Sequence, residues 1–232
     1  MKLEKNRIHL FILLFAVSSL LVHVPSDAYA ADTWTAATTT NVGTTTMRGV
    51  SMGDASNGVA VGGLGQIVYT TNGGDTWTAA TTNVGAISMR GVSMSDASNG
   101  VAVGRSGEIV YTSDGGDTWT DATTTNVGTN NMYGVSMSDA SNGVAVGKSG
   151  QIVYTTNGGV DWTDATTTNV GGTQMNDVSM SDASNGVAVG RSGQIVYTSD
   201  GGDTWTDATT TNVGGTHMEG ISMSDASNGV AV

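Results

Sequence analysis

The side chains best suited to catalysis are four arginines and four tyrosines that recur along the chain. An arginine cluster that binds a carboxylate, a tyrosine nucleophile and acidic partners could together hydrolyse a glycosidic bond. A catalytic site has to be asymmetric, whereas these residues occupy equivalent places in successive repeats. They are Arg48, Arg90, Arg105 and Arg191, with Tyr69, Tyr111, Tyr154 and Tyr197. The pattern therefore predicts a protein that is not an enzyme and has no catalytic residues.

Oxygen ligands for a cation are offered by a recurring loop, one copy of which is Asp96-Ala97-Ser98-Asn99-Gly100. Its spacing lacks the alternate-position carboxylates of an EF-hand loop, so a hairpin turn is favoured and calcium binding stays the alternative. The single histidine after the first thirty residues, His217, has no partner nearby in the sequence. We therefore predict no metal site and no cofactor.

The first thirty residues resemble a secretory signal. Lys2, Lys5 and Arg7 precede an apolar run over 8–24, and the small-residue triplet 28–30 follows, so cleavage after Ala30 is expected, with no membrane span left. The signal holds three of the eight basic and two of the twenty acidic residues, which leaves five basic and eighteen acidic side chains, a formal charge of −13. That charge repels nucleic acid and anionic membranes. The expected location is outside the cytoplasm: periplasmic, cell-surface or extracellular.

The elements that position these residues belong to a repeat, which the spacing of the tryptophans indicates. Successive tryptophans are 43, 42, 43 and 43 residues apart. They are Trp34, Trp77, Trp119, Trp162 and Trp205. Each unit contains four short β-branched or aromatic stretches bounded by Gly, Asn, Asp or Ser, which we term strands A to D. Four strands in about 43 residues predict an all-β propeller of four-stranded antiparallel blades over 31–232, with four full repeats and partial ones. A β-solenoid is the alternative fold.

A motif lies between strands C and D at 70–77, 112–119, 155–162 and 198–205. It reads Thr-Ser-Asp-Gly-Gly-Asp-Thr-Trp in the second copy and resembles the Asp-box of bacterial neuraminidase repeats. A short Asp or Asn side chain can cap the turn, glycine supplies positive φ, and the tryptophan packs on a neighbouring sheet. The structural Asp-box residues are therefore expected to be Asn72, Gly74, Trp77, Asp114, Gly116, Trp119, Asn157, Gly159, Trp162, Asp200, Gly202 and Trp205.

The whole repeat, Gly-Val-Ala-Val-Gly-x-Ser-Gly-x-Ile-Val-Tyr-Thr-x-Asp-Gly-Gly-x-Thr-Trp, is similar to the propeller family of photosystem II stability/assembly factors. The resemblance implies a β-propeller that acts as a chaperone binding a photosystem subunit, located in the thylakoid lumen if the source is phototrophic. From the residues, we expect an exported, non-catalytic module that binds a protein or serves as a scaffold, with the assembly factor as the alternative. Because Asp-boxes also occur in sialidases, a sialidase-like or glycan-binding propeller is a further alternative, and the partner is a protein or a surface glycan.

A candidate partner face emerges where the copies differ, at the start of strand A and in the turn from B to C. In an up-and-down blade these two places lie on the same face. The candidates are Arg48, Arg90, Tyr133, Arg105, Lys148 and Arg191. The last copy stops at Val232, in the middle of the repeat pattern, so we expect this sequence to be a fragment of a larger propeller.

Overall fold

A computed structural model describes residues 36–40, 45–82, 84–124, 127–167, 170–210 and 213–232. The signal peptide predicted at 1–30 and Trp34 lie outside these ranges. Among the described residues, no helix is long and apolar enough to cross a bilayer.

The strands form blades I to V, numbered along the chain. A short strand, β1 (Thr38–Thr40), precedes blade I, which consists of β2 (Met47–Met52), β3 (Gly58–Gly62), β4 (Ile67–Thr70) and β5 (Thr76–Ala79). Blade II consists of β6 (Met89–Met94), β7 (Gly100–Gly104), β8 (Ile109–Thr112) and β9 (Thr120–Asp121), and is followed by β10 (Thr123–Thr124). Blade III consists of β11 (Met132–Met137), β12 (Gly143–Gly147), β13 (Ile152–Thr155) and β14 (Asp161–Asp164), and is followed by β15 (Thr166–Thr167). Blade IV consists of β16 (Met175–Met180), β17 (Gly186–Gly190), β18 (Ile195–Thr198) and β19 (Thr204–Asp207), and the described part of blade V of β20 (Ile221–Asp225) and β21 (Asn228–Ala231).

Blades I to IV have the predicted four-stranded antiparallel sheet with the same register. In blade II, for example, Val101 pairs with Tyr111 and Val110 pairs with Asp121, and blade III repeats these pairings one unit later. The A strands of successive blades contact one another, from β2 through β6, β11 and β16 to β20. The blades are therefore arranged side by side with strand A innermost, and the all-β propeller prediction is confirmed.

Strand D differs from the single stretch that the sequence suggested. In blade III its first part pairs with strand C, whereas the next residues, β15, leave the blade and pair in parallel with β19 of blade IV. β1 and β10 pair in the same way with β5 and β14. Each crossing segment thereby adds a fifth, parallel strand to the outer edge of the following blade and satisfies backbone groups that an edge strand would expose.

The core lies between blades rather than within one sheet. Trp119 of blade II is buried in one cluster with Val59, Val61 and Ile67 of blade I, and the same arrangement recurs at the next two joints. A single blade is too thin to bury its own apolar side chains, so Trp119, Trp162 and Trp205 each cover apolar side chains of the preceding blade.

Candidate partner-binding face

The turns from B to C lie on one face together with the segments that lead from D into the next A strand, and we call this the loop face. Arg105 N donates to the carbonyl of Ser88, which directly precedes β6, and Lys148 N donates to the carbonyl of Asn131. Each of these turns is a short 3-10 segment whose central residue has positive φ, such as Ser106 at 58°. The following glycine packs against the next segment, since a Cβ on Gly107 would collide with the carbonyl of Gly128.

The variable residues at the start of strand A occupy a β-bulge on this face. The A–B register shifts between Met47 and Gly49, and likewise between Met89 and Gly91. Arg48 and Arg90 are the extra residues, and Tyr133 and Asn176 take the same place in blades III and IV. A bulge re-aims a side chain without breaking the sheet, which lets this one position vary from blade to blade.

Four of the predicted residues are brought into contact or close electrostatic range. The guanidinium of Arg90 stacks over the ring of Tyr133, with Cζ 4.8 Å from the ring centroid. Burial lowers the pKa of Arg90, Tyr133 acts in the opposite direction, and the positive charges of Arg105 and Arg48 lower it further. Arg48 and Arg105 are both exposed. This group is therefore a concentrated positive charge on a chain that is otherwise acidic.

A cleft between blades I and II lies beside this group and has a volume of about 610 Å³. Arg48 and Arg105 line it together with Thr45, Ser88 and other residues of the two blades. Thr45 Oγ1, Ser88 Oγ and Arg90 Nε are buried without a hydrogen-bond partner among the described residues. Unpaired buried donors are costly, and two of these three side chains, Thr45 and Ser88, line the cleft. The cleft therefore offers hydroxyl donors and the positive charge of Arg48 and Arg105 to an anionic ligand, for which arginine has the matching geometry.

Lys148 and Arg191, the other two predicted cations, occupy the B-to-C turns of blades III and IV and are exposed. They occupy the position equivalent to Arg105 in the next two blades. The five cationic residues of the described chain thus all lie on the loop face.

The opposite face, which we call the turn face, carries the Asp-boxes. In the first box, Asn72 Oδ1 accepts a hydrogen bond from Thr76 N at 2.9 Å, and Thr70 Oγ1 accepts one from Gly74 N at 3.0 Å. Trp77 Nε1 donates to the carbonyl of Gly74. The other three boxes show the same three bonds, made by Asp114, Asn157 and Asp200 and by their tryptophans. In the third box Asp161 stands where the others have threonine, and Asn157 Nδ2 donates to its carboxylate.

The A-to-B turns, also on the turn face, are closed by an aspartate. Asp96 Oδ1 accepts hydrogen bonds from Ser98 N and Asn99 N, and both carboxylate oxygens accept from the Asn99 side chain. The side chain of Asn99 contributes most to lowering the pKa of Asp96. The described residues contain no cluster of three or more His, Cys, Asp or Glu that could hold a metal ion.

One departure from the repeat was not recognised as a site residue in the sequence. Asp177 stands where the other blades have glycine, at Gly49, Gly91, Gly134 and Gly220. Burial raises its pKa, and its carboxylate accepts hydrogen bonds from Val178 N and from Ile221 N of blade V. Aligning the copies column by column would have found it, because every other copy has glycine in that column.

Family comparisons agree with the blade pattern. The family model described as Photosynthesis system II assembly factor YCF48 matches residues 26–172 and 121–212. The chain belongs to this family. No curated protein sequence was found to match it.

Solved structures are similar to this member of the YCF48 family over most of the described chain. YCF48 bound to D1 peptide superposes with a TM-score of 0.59 at 20% identity, over 77% of this chain and 57% of that chain. The WD40 β-propeller domain of Doa1 gives 0.62 at 12% identity, over 81% and 62%. A GH74 enzyme from Niastella koreensis gives 0.52 at 25% identity, over 69% of this chain but 24% of that one. The chain therefore spans a little over half the length of the YCF48 structure that it resembles.

Proposed function

We propose that this chain is an exported, non-catalytic propeller that binds a protein partner during photosystem II assembly. Its membership of the assembly factor family supports this role, as does the similarity to YCF48, which is found bound to a D1 peptide. The observation that carries the proposal is the group of Arg48, Arg90 and Arg105 with Tyr133 around the cleft between blades I and II.

The partner segment that this site fits is extended and acidic. Exposed arginines bind carboxylates through paired N–H donors, and stacking on the Tyr133 ring holds the Arg90 guanidinium in place. The positive charge also steers an acidic segment to this face, because all five Lys and Arg residues of the described chain lie on it.

Titration of the purified chain with a labelled D1 peptide tests the proposal. Arg105→Glu should weaken binding about tenfold, equivalent to about 1.4 kcal/mol, because it reverses a charge that lines the cleft. Arg191→Glu is the matched control, since it changes the same residue of the same turn in blade IV, and it should alter the affinity less than twofold. Equal losses for the two variants, or no binding by the unmodified chain, would contradict the proposal.

Glycan binding is the second candidate, and the similarity to the Niastella koreensis GH74 enzyme is what favours it. A glycan array followed by an assay of sialic acid release separates binding from hydrolysis. Saturable binding to a defined glycan without product release would replace the protein partner in our proposal. Turnover that survives purification and disappears with a loop-face variant would show that the chain is an enzyme.

Export is proposed from the signal at 1–30. Expression of the chain in a bacterial host, followed by mass analysis of the N-terminus from the exported fraction, should find a chain that begins at residue 31. A chain retained in the cytoplasm with residues 1–30 intact would count against export.

A further inference from the structure

The cleft between blades I and II has apolar side chains at positions that are polar at the later joints. Leu64 is the central residue of the B-to-C turn of blade I, and Ile87 lies in the segment that leads into β6. Both residues line the cleft. The equivalent positions in the later copies hold Ser106, Ser149 and Ser192, and Asn130, Thr173 and Thr216. Apolar side chains therefore come from both blades at this one cleft.

The fold gains little from a leucine at position 64. The side chain is 71% exposed, so it buries little apolar surface within the chain. Its φ of 54° lies in the left-handed region, which bulky residues rarely adopt. Ser106 takes the same conformation in the next blade, at 58°. Packing within the chain thus does not explain why blade I has leucine where the next three blades have serine.

A side-chain contact bridges the same place at the next joint. Ser106 N, in the B-to-C turn of blade II, accordingly donates a hydrogen bond to Asn131 Oδ1 of blade III at 3.1 Å. Ser88 has the position of Asn131 at the first joint, and its hydroxyl has no hydrogen-bond partner among the described residues. The first joint therefore lacks this bridge and has the cleft there instead.

We propose that the cleft selects a segment in which an aliphatic side chain stands next to a carboxylate. This inference rests on the proposed function and specifies the ligand of the same site. Leu64 and Ile87 contact the aliphatic side chain, while Arg48 and Arg105, which also line the cleft, bind the carboxylate. The charge attracts acidic segments in general, and the apolar contact favours those that carry an aliphatic side chain.

Two fluorescein-labelled peptides test this selection. Their sequences are Gly-Ser-Glu-Ile-Glu-Ser-Gly and Gly-Ser-Glu-Ser-Glu-Ser-Gly, so they differ only in the central residue. Fluorescence anisotropy with the full chain should show that the isoleucine peptide binds about fivefold more tightly, because its side chain leaves water on binding. Equal affinities, or no saturable binding of either peptide, would overturn the inference.

Variants of the protein show whether the apolar wall is the cause. Leu64→Ser introduces the residue of the later blades, so the fold should be retained. It should weaken binding of the isoleucine peptide about fivefold and leave the serine peptide unchanged. Ile87→Asn, which introduces the residue of blade III, is the second variant and should act in the same direction. Equal effects on the two peptides, or no effect of either variant, would overturn the inference.

Ser149→Leu is the matched control for the leucine itself. It places a leucine at the same position of the B-to-C turn in blade III, away from the cleft, and should change neither affinity. A gain for the isoleucine peptide equal to the loss in Leu64→Ser would contradict a role specific to this cleft. Far-UV circular dichroism and a thermal melt show that each variant is folded.

Arg105→Glu separates this inference from the proposed function. Both peptides use the charge of Arg105, so the variant should weaken both by the same factor. If Arg105→Glu weakens both peptides while Leu64→Ser and Ile87→Asn weaken neither, the inference fails and the proposed function stands. If Arg105→Glu changes neither affinity, the charged site itself is wrong, and both fail.

Discussion

The hydroxyl of Ser93 in strand A of blade II accepts a hydrogen bond from the backbone N–H of Met137 in blade III, at 2.9 Å. The bond joins two neighbouring A strands at the centre of the arc. Ser51, Ser136 and Ser179 make the same bond to the following blade. A serine at one place in every repeat therefore joins each pair of consecutive blades.

Ser93→Ala should destabilise the chain by about 1–2 kcal/mol, because it leaves a partly buried N–H without an acceptor. Equilibrium urea unfolding measures the change. Ser222→Ala is the matched control, since Ser222 has the same place in blade V but is exposed, and it should have almost no effect. Similar losses for both variants would mean that the inter-blade bond is not the cause.

Gly159→Ala should cost more than about 3 kcal/mol. The added Cβ would lie 2.5 Å from Val101 Cγ2 of the preceding blade, and the residue also has φ of +92°, so overpacking adds to backbone strain. Gly171→Ala separates the two effects, because Gly171 has φ of +55° and open space around it. That control should lose only about 1 kcal/mol, and a thermal melt that gives equal losses would contradict the packing argument.

Glu108→Gln should stabilise the chain at neutral pH by about 0.5 kcal/mol, a value reduced for partial exposure. In blades III and IV a glutamine takes this place, and Gln151 Nε2 donates to Asp164 Oδ1 at 2.8 Å. Glu108 has no such amide donor, and burial, followed by the charge of Asp121, raises its pKa.

The effect of Glu108→Gln should depend on pH in a defined direction. The pKa of Glu108 is higher in the folded chain than in the unfolded chain. Its contribution to stability is therefore most favourable below the unfolded-state pKa and is lost as the pH rises through the folded-state pKa. The advantage of the variant should therefore be largest at neutral pH and shrink in acid, as followed by urea unfolding across the pH range. The reciprocal change Gln151→Glu should destabilise blade III with the same pH dependence, and pH-independent differences would contradict the argument.

Asp96→Asn should reduce stability at neutral pH and lose its effect in acid. Hydrogen bonds from Asn99 and Ser98 favour the ionised carboxylate, so its pKa lies below the ordinary value of 3.8. The stability that it contributes is present above 3.8 and is lost as the pH falls through the lower folded-state pKa. Thermal melts of the two proteins as a function of pH check this, and a difference that persists unchanged in acid would count against it.

The repeat, its four strands and the propeller were predictable from the sequence because they depend on local chemistry. Glycine and aspartate at a turn, alternating valines in a strand and a tryptophan every 43 residues or so act through near neighbours, and four copies repeat the signal. The shared face of Arg48, Arg90 and Arg105 was also predictable, since up-and-down connections alternate between faces.

Only the tertiary structure decided how one repeat is completed by the next. Three kinds of contact join residues that are roughly one repeat apart. They are the pairing of β10 and β15 with the neighbouring blade, the packing of Gly116 against Val59 and Tyr69, and the hydrogen bond that Ile221 N donates to the Asp177 carboxylate. No local preference specifies which blade receives a tryptophan or a crossing strand, because those contacts form when adjacent sheets pack and bury their apolar faces together. The sequence by itself thus determined the blade, whereas packing between blades decided the cleft beside Arg90 and the contact of each Asp-box turn with the preceding blade.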